Sequence, residues 1–285
     1  MRAPDPRIVL GLHRSRHERR LLTCALDLGV TGLDTSSNYL GFRSHETLAR
    51  TASDLLPRFS VSTKVGYFRT PYGVEHSLDA HRLRTAMERV AKDFGQEPEL
   101  VFLHNPEHSL QGSASHGREI LAHAFAALDE ATSKGLCGTW GVASWDPTLL
   151  SSLVDPGMPK PSVLMVRAGL LVGTRTLTAV DVLATAWGLD DTVLWGMSPF
   201  GGSTDAPVWE RVDPRVFLRD GDKASRVQAA FRAAYHLPQV QAVCVGTDEP
   251  AHLGELVDAL AWDVDEVAIH EYRDLLRSRA GGQPS

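Results

Sequence analysis

The chain has 285 residues, of which 29 are Lys or Arg and 35 are Asp or Glu, so its formal net charge is −6. Apolar residues make up 43% of the chain and charged residues 22%, a globular composition that excludes a wholly disordered protein. The mild acidity argues against a nucleic-acid-binding protein and a polybasic membrane-surface protein, because both need a basic excess. No apolar run approaches the roughly 20 residues of a membrane-spanning helix.

The three cysteines, Cys24, Cys137 and Cys244, are odd in number and far apart. None belongs to a CxxC pair, so the sequence indicates neither a disulfide framework nor a zinc ribbon. The N-terminal segment lacks the apolar core of a signal peptide, because the short run Ile8–Leu12 ends at His13. A cytoplasmic protein is therefore predicted.

The predicted secondary structure alternates short apolar runs with longer amphipathic stretches. Eight runs are predicted as strands, namely Ile8–Leu12, Gly32–Asp34, Ser60–Lys64, Leu100–His104, Thr139–Ser144, Val163–Val166, Thr192–Met197 and Ala242–Gly246. Stretches with helical spacing lie between them, namely His17–Leu28, Asp79–Phe94, Glu119–Lys134, Ala179–Trp187, Ala224–Tyr235 and Pro250–Leu260. Asp79 is predicted as an N-cap, Pro250 as a first-turn residue and Gly135 as a helix stop.

This alternation is typical of an α/β fold with a parallel sheet. Eight repeats favour a closed (β/α)8 TIM barrel. The alternative is an open doubly wound sheet, which usually carries GxGxxG after its first strand. Here the first strand is followed by GLHRSRH, with a single glycine, so the barrel is favoured. Residues 1–280 are predicted as one domain with an additional C-terminal helix over Asp263–Arg279, and Gly281–Ser285 as a disordered tail.

Polar side chains follow several predicted strands at the end where barrel enzymes build active sites. Strand two ends at Asp34, strand three at Lys64 and strand four at His104, and Tyr39 lies on the loop after strand two. A carboxylate, an ammonium, an imidazole and a phenol are therefore expected to meet at one mouth. A lysine in that position needs a partner, because an unpaired buried ammonium is unfavourable, and Asp34 supplies it.

The nearby ammonium predicts a chemical role for Tyr39. The positive charge of Lys64 is expected to pull the pKa of the phenol below its ordinary value of about 10. A phenol tuned in that way gives or takes a proton at an alcohol or carbonyl oxygen near neutral pH, and His104 can hydrogen-bond the same oxygen. The residues thus predict general acid/base chemistry on an alcohol/carbonyl pair.

Several segments of the chain resemble the aldo-keto reductases. They are GVTGLDTSSNYLGFRSHETLAR, STKVG, FLHNP, GTWGVAS, MSPFGGS and VCVGTDEPAHLGELVDAL, which occur in the family's order and span almost the whole chain. In the first segment Leu40 separates Tyr39 from Gly41, where the family has adjacent residues. TKVGYF and HNPEH are most similar to the bacterial sugar and pyridoxal dehydrogenase branch.

The resemblance implies a TIM-barrel oxidoreductase that uses NADP(H), sometimes NAD(H), on a small polar carbonyl or alcohol substrate, sugar-like or cyclic. It implies that Tyr39 is the general acid to the carbonyl oxygen during hydride transfer and that Lys64 lowers the pKa of Tyr39. It also implies that Asp34 holds Lys64 and that His104 orients the substrate carbonyl. Neither a nucleic acid nor a membrane is expected as a partner, and the oligomeric state has no signal in the sequence.

The resemblance also implies a cofactor-binding set at the strand ends. Its members are Gly11, Ser144, Met165, Ser198, Phe200, Gly201, Gly202, Gly246, Thr247, His252 and Glu255. Met165 stands where the family has a glutamine, and Trp145 follows Ser144 where the family has an asparagine. No Lys or Arg follows strand eight to bind an adenosine 2′-phosphate. Substitutes for that cation are expected at Arg219, Lys223 and Arg226.

Three further residues are predicted to contact the substrate, namely His13 after strand one, Trp145 and Trp209. No metal site is predicted. The pair His104 and His108 has a metal-like spacing, but Pro106 between them disfavours the helix that such a pair needs, and no third ligand is near.

A second function stays open at this stage. The barrel could have weakened cofactor binding and act in a redox-neutral step or as a binding protein. The intact pair of Tyr39 and Lys64 favours the oxidoreductase, whereas the replaced cofactor-grip residues favour the alternative.

Overall fold

The computed structural model describes residues 2–189 and 193–281, with side chains described through Ser278. Its ten strands are β1 Ile8–Gly11, β2 Gly32–Asp34, β3 Ser60–Val65, β4 Tyr67–Thr70, β5 Gly73–His76, β6 Leu100–His104, β7 Thr139–Ser144, β8 Val163–Arg167, β9 Leu194–Met197 and β10 Ala242–Val245. Eight of them close into a barrel in the order β1-β10-β9-β8-β7-β6-β3-β2, and every pair in it is parallel. The predicted (β/α)8 barrel is confirmed.

Helices connect and cover these strands. They are α1 Arg19–Asp27, α2 Tyr39–Phe42, α3 Ser44–Ala52, α4 Ala80–Phe94, α5 Ala114–Ser133, α6 Leu150–Leu153, α7 Thr174–Trp187, α8 Val208–Arg211, α9 Arg226–Ala233, α10 Pro250–Ala259 and α11 Glu266–Gly281. Short 3-10 turns are at Leu56–Arg58, Pro106–Ser109, Pro214–Phe217 and Gly221–Lys223. Asp79 caps α4 as predicted, because its Oδ1 accepts a 2.8 Å hydrogen bond from the amide of Arg82.

Several predicted helix boundaries are wrong because polar capping residues, rather than apolar periodicity, set where the helix begins. Helix α5 begins at Ala114, five residues before the predicted Glu119, because Ser113 caps a first turn that carries no apolar periodicity. Helix α9 begins at Arg226 rather than at Ala224, since Ser225 and Gln228 form a capping box. The predicted strand start Thr192 lies outside the described residues.

The predicted additional C-terminal helix is present as α11. It packs over the 3-10 turn Pro214–Phe217, with the rings of Tyr272 and Phe217 5.3 Å apart, and the Tyr272 hydroxyl donates to the Leu170 carbonyl at 2.7 Å. Of the predicted tail, Gly281 is the last residue of α11, and residues 282–285 lie outside the described part of the chain.

The barrel interior is apolar below and polar at the carboxyl ends of the strands. Alternate residues of each strand point inward, so an apolar layer that includes Phe102 and Met165 lies beneath the inward side chains of Asp34 and Lys64. A side chain at Gly141 would come within 2.9 Å of the Phe102 ring and 2.5 Å of the Val163 carbonyl, so only glycine fits beside this phenylalanine. The layer of polar side chains therefore lies on a tightly packed apolar layer.

A two-stranded hairpin outside the barrel was not predicted. Strands β4 and β5 pair antiparallel over residues 67–76 and follow β3 directly. Gly66 allows this exit, because its φ is +131° and a Cβ there would lie 3.2 Å from the His104 carbonyl oxygen. The hairpin consequently stands beside the carboxyl end of β6.

Acid sensitivity is expected from a buried histidine of α3. His45 packs on Phe94 with ring centroids 4.3 Å apart and hydrogen-bonds the Thr63 hydroxyl at 2.8 Å. Burial lowers its pKa to about 3. The folded-state pKa of His45 lies below its unfolded value of about 6.5. The stability that neutral His45 contributes is therefore fully present above pH 6.5 and is lost as the pH falls below 6.5.

We therefore predict that His45→Gln, which keeps a side-chain donor, flattens the pH dependence of stability. The measurement is the free energy of unfolding in urea at pH 7.5 and pH 5. At about 1.4 kcal/mol per pH unit, His45 accounts for up to about 2 kcal/mol of the wild-type loss. The exposed His116→Gln is the matched control. Equal pH dependence in wild type and His45→Gln would contradict the assignment.

Candidate active site

The structure brings four predicted side chains together at the carboxyl end of the barrel. Lys64 Nζ contacts the Asp34 carboxylate, donates to the Thr35 carbonyl at 2.9 Å and lies 3.3 Å from the Tyr39 hydroxyl. His104 stands across the mouth, with its ring centroid 6.2 Å from that of Tyr39. A carboxylate, an ammonium, a phenol and an imidazole thus face one opening.

The loop after β2 places Tyr39 because it runs along the neighbouring strand β3. The amides of Thr35 and Ser37 donate to the carbonyls of Ser62 and Lys64 at 2.9 and 3.2 Å. The amide of Tyr39 then closes a turn onto the Ser36 carbonyl at 3.1 Å. These bonds deliver the phenol to the ammonium that projects from β3.

The ion pair of Asp34 and Lys64 is buried, with 2% of each residue exposed. Asp34 Oδ1 accepts a 2.9 Å hydrogen bond from the Ser62 hydroxyl. Asp34 Oδ2, which contacts Lys64, lies 3.6 Å from the Cys244 thiol. Burial alone would lower the pKa of Lys64, but the Asp34 carboxylate outweighs it and raises the pKa. Lys64 is therefore a permanent cation beneath the phenol.

The predicted lowering of the Tyr39 pKa is wrong. Burial raises the pKa of the phenol to about 12, and the charge of Lys64 opposes that rise without cancelling it. Sequence reasoning weighed the charge but had no measure of desolvation, which penalises the phenolate. Tyr39 is consequently a neutral hydroxyl near neutral pH.

The chain just after Tyr39 is held in an unusual conformation. Leu40, Gly41 and Phe42 have φ values of 50°, 62° and 65°. Non-glycine residues adopt this left-handed region at a cost of roughly 1–2 kcal/mol each. Arg69 of β4 secures the segment, since it donates to the Gly41 carbonyl and its guanidinium lies 5.4 Å from the Phe42 ring centroid. The hairpin therefore braces the tyrosine loop.

His104 is a neutral imidazole. Burial lowers its pKa well below the ordinary value, and the charge of Lys64 lowers it further. Its Nδ1 lies 3.2 Å from the Ser36 hydroxyl, and the ring of Tyr67 meets it edge-on at 5.0 Å. His76 Nε2 donates to the His104 backbone carbonyl at 2.7 Å. The side chain and the backbone of His104 are both fixed.

Sequence reasoning missed one wall of the opening because it missed the hairpin. The Tyr67 hydroxyl lies 2.7 Å from His108 Nδ1 and accepts a 3.3 Å hydrogen bond from the side-chain Nδ2 of Asn105. His76 also bonds Ser109 at 2.7 Å. The signal was the segment GYFRTPYGVEH, which has Pro-Tyr-Gly between two short β-type runs.

The predicted substrate residues occupy different environments. The ring of His13 lies 5.1 Å from that of Tyr39, at the opening. Trp145 is 44% exposed, and the guanidinium of Arg167 stacks on it at 5.2 Å. Trp209 is buried and donates to the carbonyls of Phe200 and Ser203 at 3.2 and 3.1 Å. Its position is under the loop that follows β9 rather than in the opening.

That loop fits a bound diphosphate. Ser198, Gly201 and Gly202 have φ values of 54°, 66° and 111°, and a side chain at Gly202 would meet no atom within 4 Å. The amides of Gly202 and Ser203 form no hydrogen bond with the described residues of the chain. Free backbone N–H groups in a glycine loop form an anion-binding concavity. Gly11 at the end of β1 lies beside Gly246, which follows β10, since a Cβ at Gly246 would be 3.0 Å from the Gly11 carbonyl oxygen.

The predicted nicotinamide-side residues are less open. Met165 is fully buried in the barrel interior. The Ser144 hydroxyl donates to Glu107 at 3.0 Å, and the amides of Trp145 and Asp146 donate to the same carboxylate at 2.8 and 2.9 Å. The Ser144 proton is thus engaged with Glu107, and the hydroxyl oxygen is left as an acceptor.

The predicted adenosine side offers few free cations. Of the three predicted cations, Arg226 is committed to the carbonyls of Trp209 and Val212. Lys223 lies 3.8 Å from the Asp220 carboxylate, and Arg219 is exposed. Of the predicted residues there, Glu255 accepts from Ser225 at 2.5 Å, Thr247 accepts from the Glu249 amide at 3.0 Å, and His252 is exposed. The loop therefore suits a diphosphate better than this region suits an additional phosphate.

The described part of the chain shows neither a metal cluster nor a membrane-crossing helix. No group of three or more His, Cys, Asp or Glu side chains there is placed to hold a metal ion. No helix in residues 2–189 and 193–281 combines the length and the apolarity that crossing a bilayer demands.

Solved structures of aldo-keto reductases share this architecture. An enzyme of Bacillus halodurans, AKR11C1 in its holo form, is 14% identical, with a TM-score of 0.74 over 95% of this chain and 91% of that one. The Brucella melitensis enzyme is 15% identical, with a TM-score of 0.67 over 95% and 93%. An enzyme from a Medee basin deep-sea metagenome, MGS-M4, is 17% identical, with a TM-score of 0.70 over 99% and 93%.

Sequence comparison identifies the family. No curated protein matches the chain in sequence. The model of the aldo/keto reductase family, however, matches residues 13–204, which include Tyr39, the ion pair beneath it and His104. The match covers more than half of the chain and coincides with the four side chains at the barrel mouth. The chain belongs to the aldo/keto reductase family of oxidoreductases.

Proposed function

We propose that the chain interconverts a carbonyl and an alcohol on a small polar substrate, sugar-like or cyclic, with NADP(H) or NAD(H) and with Tyr39 as general acid/base. The observation that carries this proposal is the neutral phenol 3.3 Å from a buried, permanently charged ammonium. A proton donor beside a fixed cation is suited to an oxygen that gains negative charge.

The proposed chemistry divides among three side chains. The Tyr39 hydroxyl donates its proton to the substrate oxygen and takes it back in the oxidative direction. Lys64 stabilises the phenolate left behind, because its charge lies within hydrogen-bonding distance. Asp34 keeps Lys64 in place and is itself held by Ser62. When bound, the nicotinamide supplies or accepts the hydride.

The cofactor is proposed to lie across the carboxyl end of the barrel. The amides of the Ser198–Gly202 loop would receive the diphosphate, with Phe200 in the same loop and with the adenosine towards Thr247, His252 and Glu255 on the β10 side. We expect the nicotinamide close to Ser144 and Met165, with Gly11 at the end of β1 as a further cofactor contact. Trp145 and His13 flank the proposed substrate position.

A second function is favoured by one observation. Ser144 has already donated its one hydroxyl proton to Glu107, and Met165 is buried, so neither residue offers a carboxamide oxygen a hydrogen-bond donor. Weak cofactor binding would follow, and the barrel would then act in a redox-neutral step or as a binding protein. Cofactor affinity separates this alternative from the main proposal.

The first test is Tyr39→Phe, which removes the proton donor and keeps the ring. We expect kcat to fall by about 10²–10⁴-fold, while the dissociation constant of the cofactor stays nearly unchanged. Nicotinamide absorbance with a panel of hydroxylated aldehydes and ketones measures the first, and fluorescence titration the second. Tyr72→Phe, at a fully exposed tyrosine, is the control. A kcat near that of the wild type would remove Tyr39 from the mechanism.

The second test compares the two members of the ion pair. Lys64→Met removes the charge that faces the phenol, so we expect a loss of kcat on the order of 10²–10³-fold. Asp34→Asn acts only through Lys64, and we expect a loss about tenfold smaller. Far-UV circular dichroism must first show that both variants are folded, because Lys64→Met leaves a buried carboxylate unpaired. A greater loss in Asp34→Asn would reverse the proposed roles.

The third test concerns the cofactor. With Arg226 and Lys223 engaged elsewhere, we expect NADPH and NADH to bind with dissociation constants within about 100-fold of each other, or about 2.7 kcal/mol. Calorimetric titration with each nucleotide measures both constants. A stronger preference for NADPH would require a phosphate-binding cation at another position. Absence of binding of either nucleotide at millimolar concentration would favour the redox-neutral alternative.

A further inference from the structure

The backbone directly after Tyr39 is strained. Leu40, Gly41 and Phe42 are three consecutive residues in the left-handed region, with φ values of 50°, 62° and 65°. Only glycine adopts this region without strain, because the Cβ of any other residue crowds a neighbouring carbonyl oxygen. A left-handed turn that includes a leucine and a phenylalanine therefore persists only where other contacts hold it.

The hydrogen bonds inside this turn do not attach it to the barrel. The amide of Arg43 donates to the Tyr39 carbonyl at 3.2 Å, and Arg43 Nε donates to the Leu40 carbonyl at 3.3 Å. These bonds close the turn on itself. Among the described residues, the side chain from another element that hydrogen-bonds the turn is Arg69 of β4, which donates to the Gly41 carbonyl.

Arg69 contacts the turn twice. Besides donating to the Gly41 carbonyl, its guanidinium lies over the ring of Phe42, with Cζ 5.4 Å from the ring centroid. The hydrogen bond fixes the direction of the carbonyl, and it is strengthened by the charge of its donor. The stack holds the bulky side chain that least favours left-handed backbone. Both contacts form without substrate or cofactor.

The hairpin gives Arg69 a fixed position. Alternate side chains of a strand lie on opposite faces, so Tyr67 and Arg69 share the face that meets the active-site loops, and Phe68 lies on the other face. On that other face Arg82 of α4 lies over the Phe68 ring, with Cζ 4.1 Å from the centroid, and its Nη1 lies 3.0 Å from the Glu75 carboxylate. Helix α4 thus secures the hairpin from behind.

Both ends of the turn are anchored, so its conformation determines where Tyr39 lies. On one side the amide of Tyr39 donates to the Ser36 carbonyl at 3.1 Å, and on the other Ser44 begins α3. Ser44 is itself held, because its hydroxyl lies 2.6 Å from Nε2 of the buried His17. A change of φ at Leu40 must therefore be taken up between these anchors, where Tyr39 lies.

We propose that the tyrosine loop has two states and that Arg69 is the positioning residue that keeps the active one populated. In the active state the turn is left-handed and the Tyr39 hydroxyl reaches Lys64, 3.3 Å away. In the other state the turn relaxes and withdraws the phenol from the ammonium. The rate then follows the fraction of molecules in the active state. The catalytic consequence rests on the proposed role of Tyr39 as general acid/base.

Hydrogen exchange in the resting protein tests the two states without substrate. Mass spectrometry follows the amides of Phe42 and Arg43, which are hydrogen-bonded inside the turn at 3.4 and 3.2 Å. We expect Arg69→Ala to speed their exchange at least about tenfold, because the relaxed state opens these bonds. Arg50→Ala, at an exposed arginine of α3, is the control and leaves their exchange unchanged. Equal exchange in wild type and Arg69→Ala would overturn the proposal.

Rescue by glycine distinguishes strain from the simple loss of a contact. In Arg69→Ala we expect kcat to fall at least about tenfold, with the dissociation constant of the cofactor within about twofold of wild type. Adding Leu40→Gly removes the strain at φ 50° and is expected to recover about fivefold in kcat and to slow the exchange again. Leu40→Ala truncates the same side chain but keeps the Cβ, so it recovers nothing. No recovery with glycine, or equal recovery with alanine, would contradict the two-state loop.

Gly41→Ala provides the converse test in the otherwise unchanged protein. A Cβ at Gly41 would meet no atom within 4 Å, so alanine adds strain without a clash, and we expect kcat to fall about two- to fivefold. Gly95→Ala, at φ 67° and with equally open space at the end of α4, adds the same strain elsewhere and leaves kcat unchanged. An equal kcat in both variants would overturn the proposal.

Failure of both nicotinamides to support turnover of any carbonyl would sink the proposed function instead. The exchange rates of Arg69→Ala, with and without Leu40→Gly, would still decide whether Arg69 holds the loop.

Discussion

The buried ion pair of Asp34 and Lys64 is the constraint around which the mouth of the barrel is organised. Two charges with 2% exposure are tolerated only because each has further partners, Ser62 for the carboxylate and the Thr35 carbonyl for the ammonium. Those partners come from neighbouring strands, so closing the barrel and satisfying the charges are one event. The phenol of Tyr39 and the imidazole of His104 then take their protonation states from the same burial and the same positive charge.

Much of the arrangement at the barrel mouth can be predicted from the sequence, because the carboxyl ends of the strands in a parallel barrel lie close together. The alternation of predicted strands and helices, with Asp34, Lys64 and His104 at strand ends, suffices to bring the three together. The register of the closed sheet then follows from ordinary strand pairing. What the sequence cannot supply is the balance between opposing terms. The charge of Lys64 predicts an acidic phenol, but burial wins, and only coordinates show how far the ring is withdrawn from water.

Other features escape sequence reasoning because polar contacts carry them. The hairpin has no long apolar pattern, Ser113 caps a helix turn without apolar periodicity, and Glu107 reaches Ser144 across 37 residues of chain. Trp209 is a residue type that often lines pockets, yet it lies beneath the glycine loop, where its indole N–H donates to two carbonyls. Each of these depends on a specific hydrogen bond rather than on a periodic pattern, and such bonds leave little trace in a single sequence.

The separation of the hairpin from the closed sheet has an evolutionary consequence. Strands β4 and β5 form a two-stranded sheet that is separate from the barrel. Residues at the tip of the hairpin can therefore be exchanged or inserted without disturbing the hydrogen bonds between barrel strands. Tyr72 at the tip is already fully exposed. Arg69, by contrast, joins the base of the hairpin to the loop of Tyr39. Natural variation can therefore reshape the rim while Asp34, Tyr39, Lys64 and His104 stay in place at the barrel mouth.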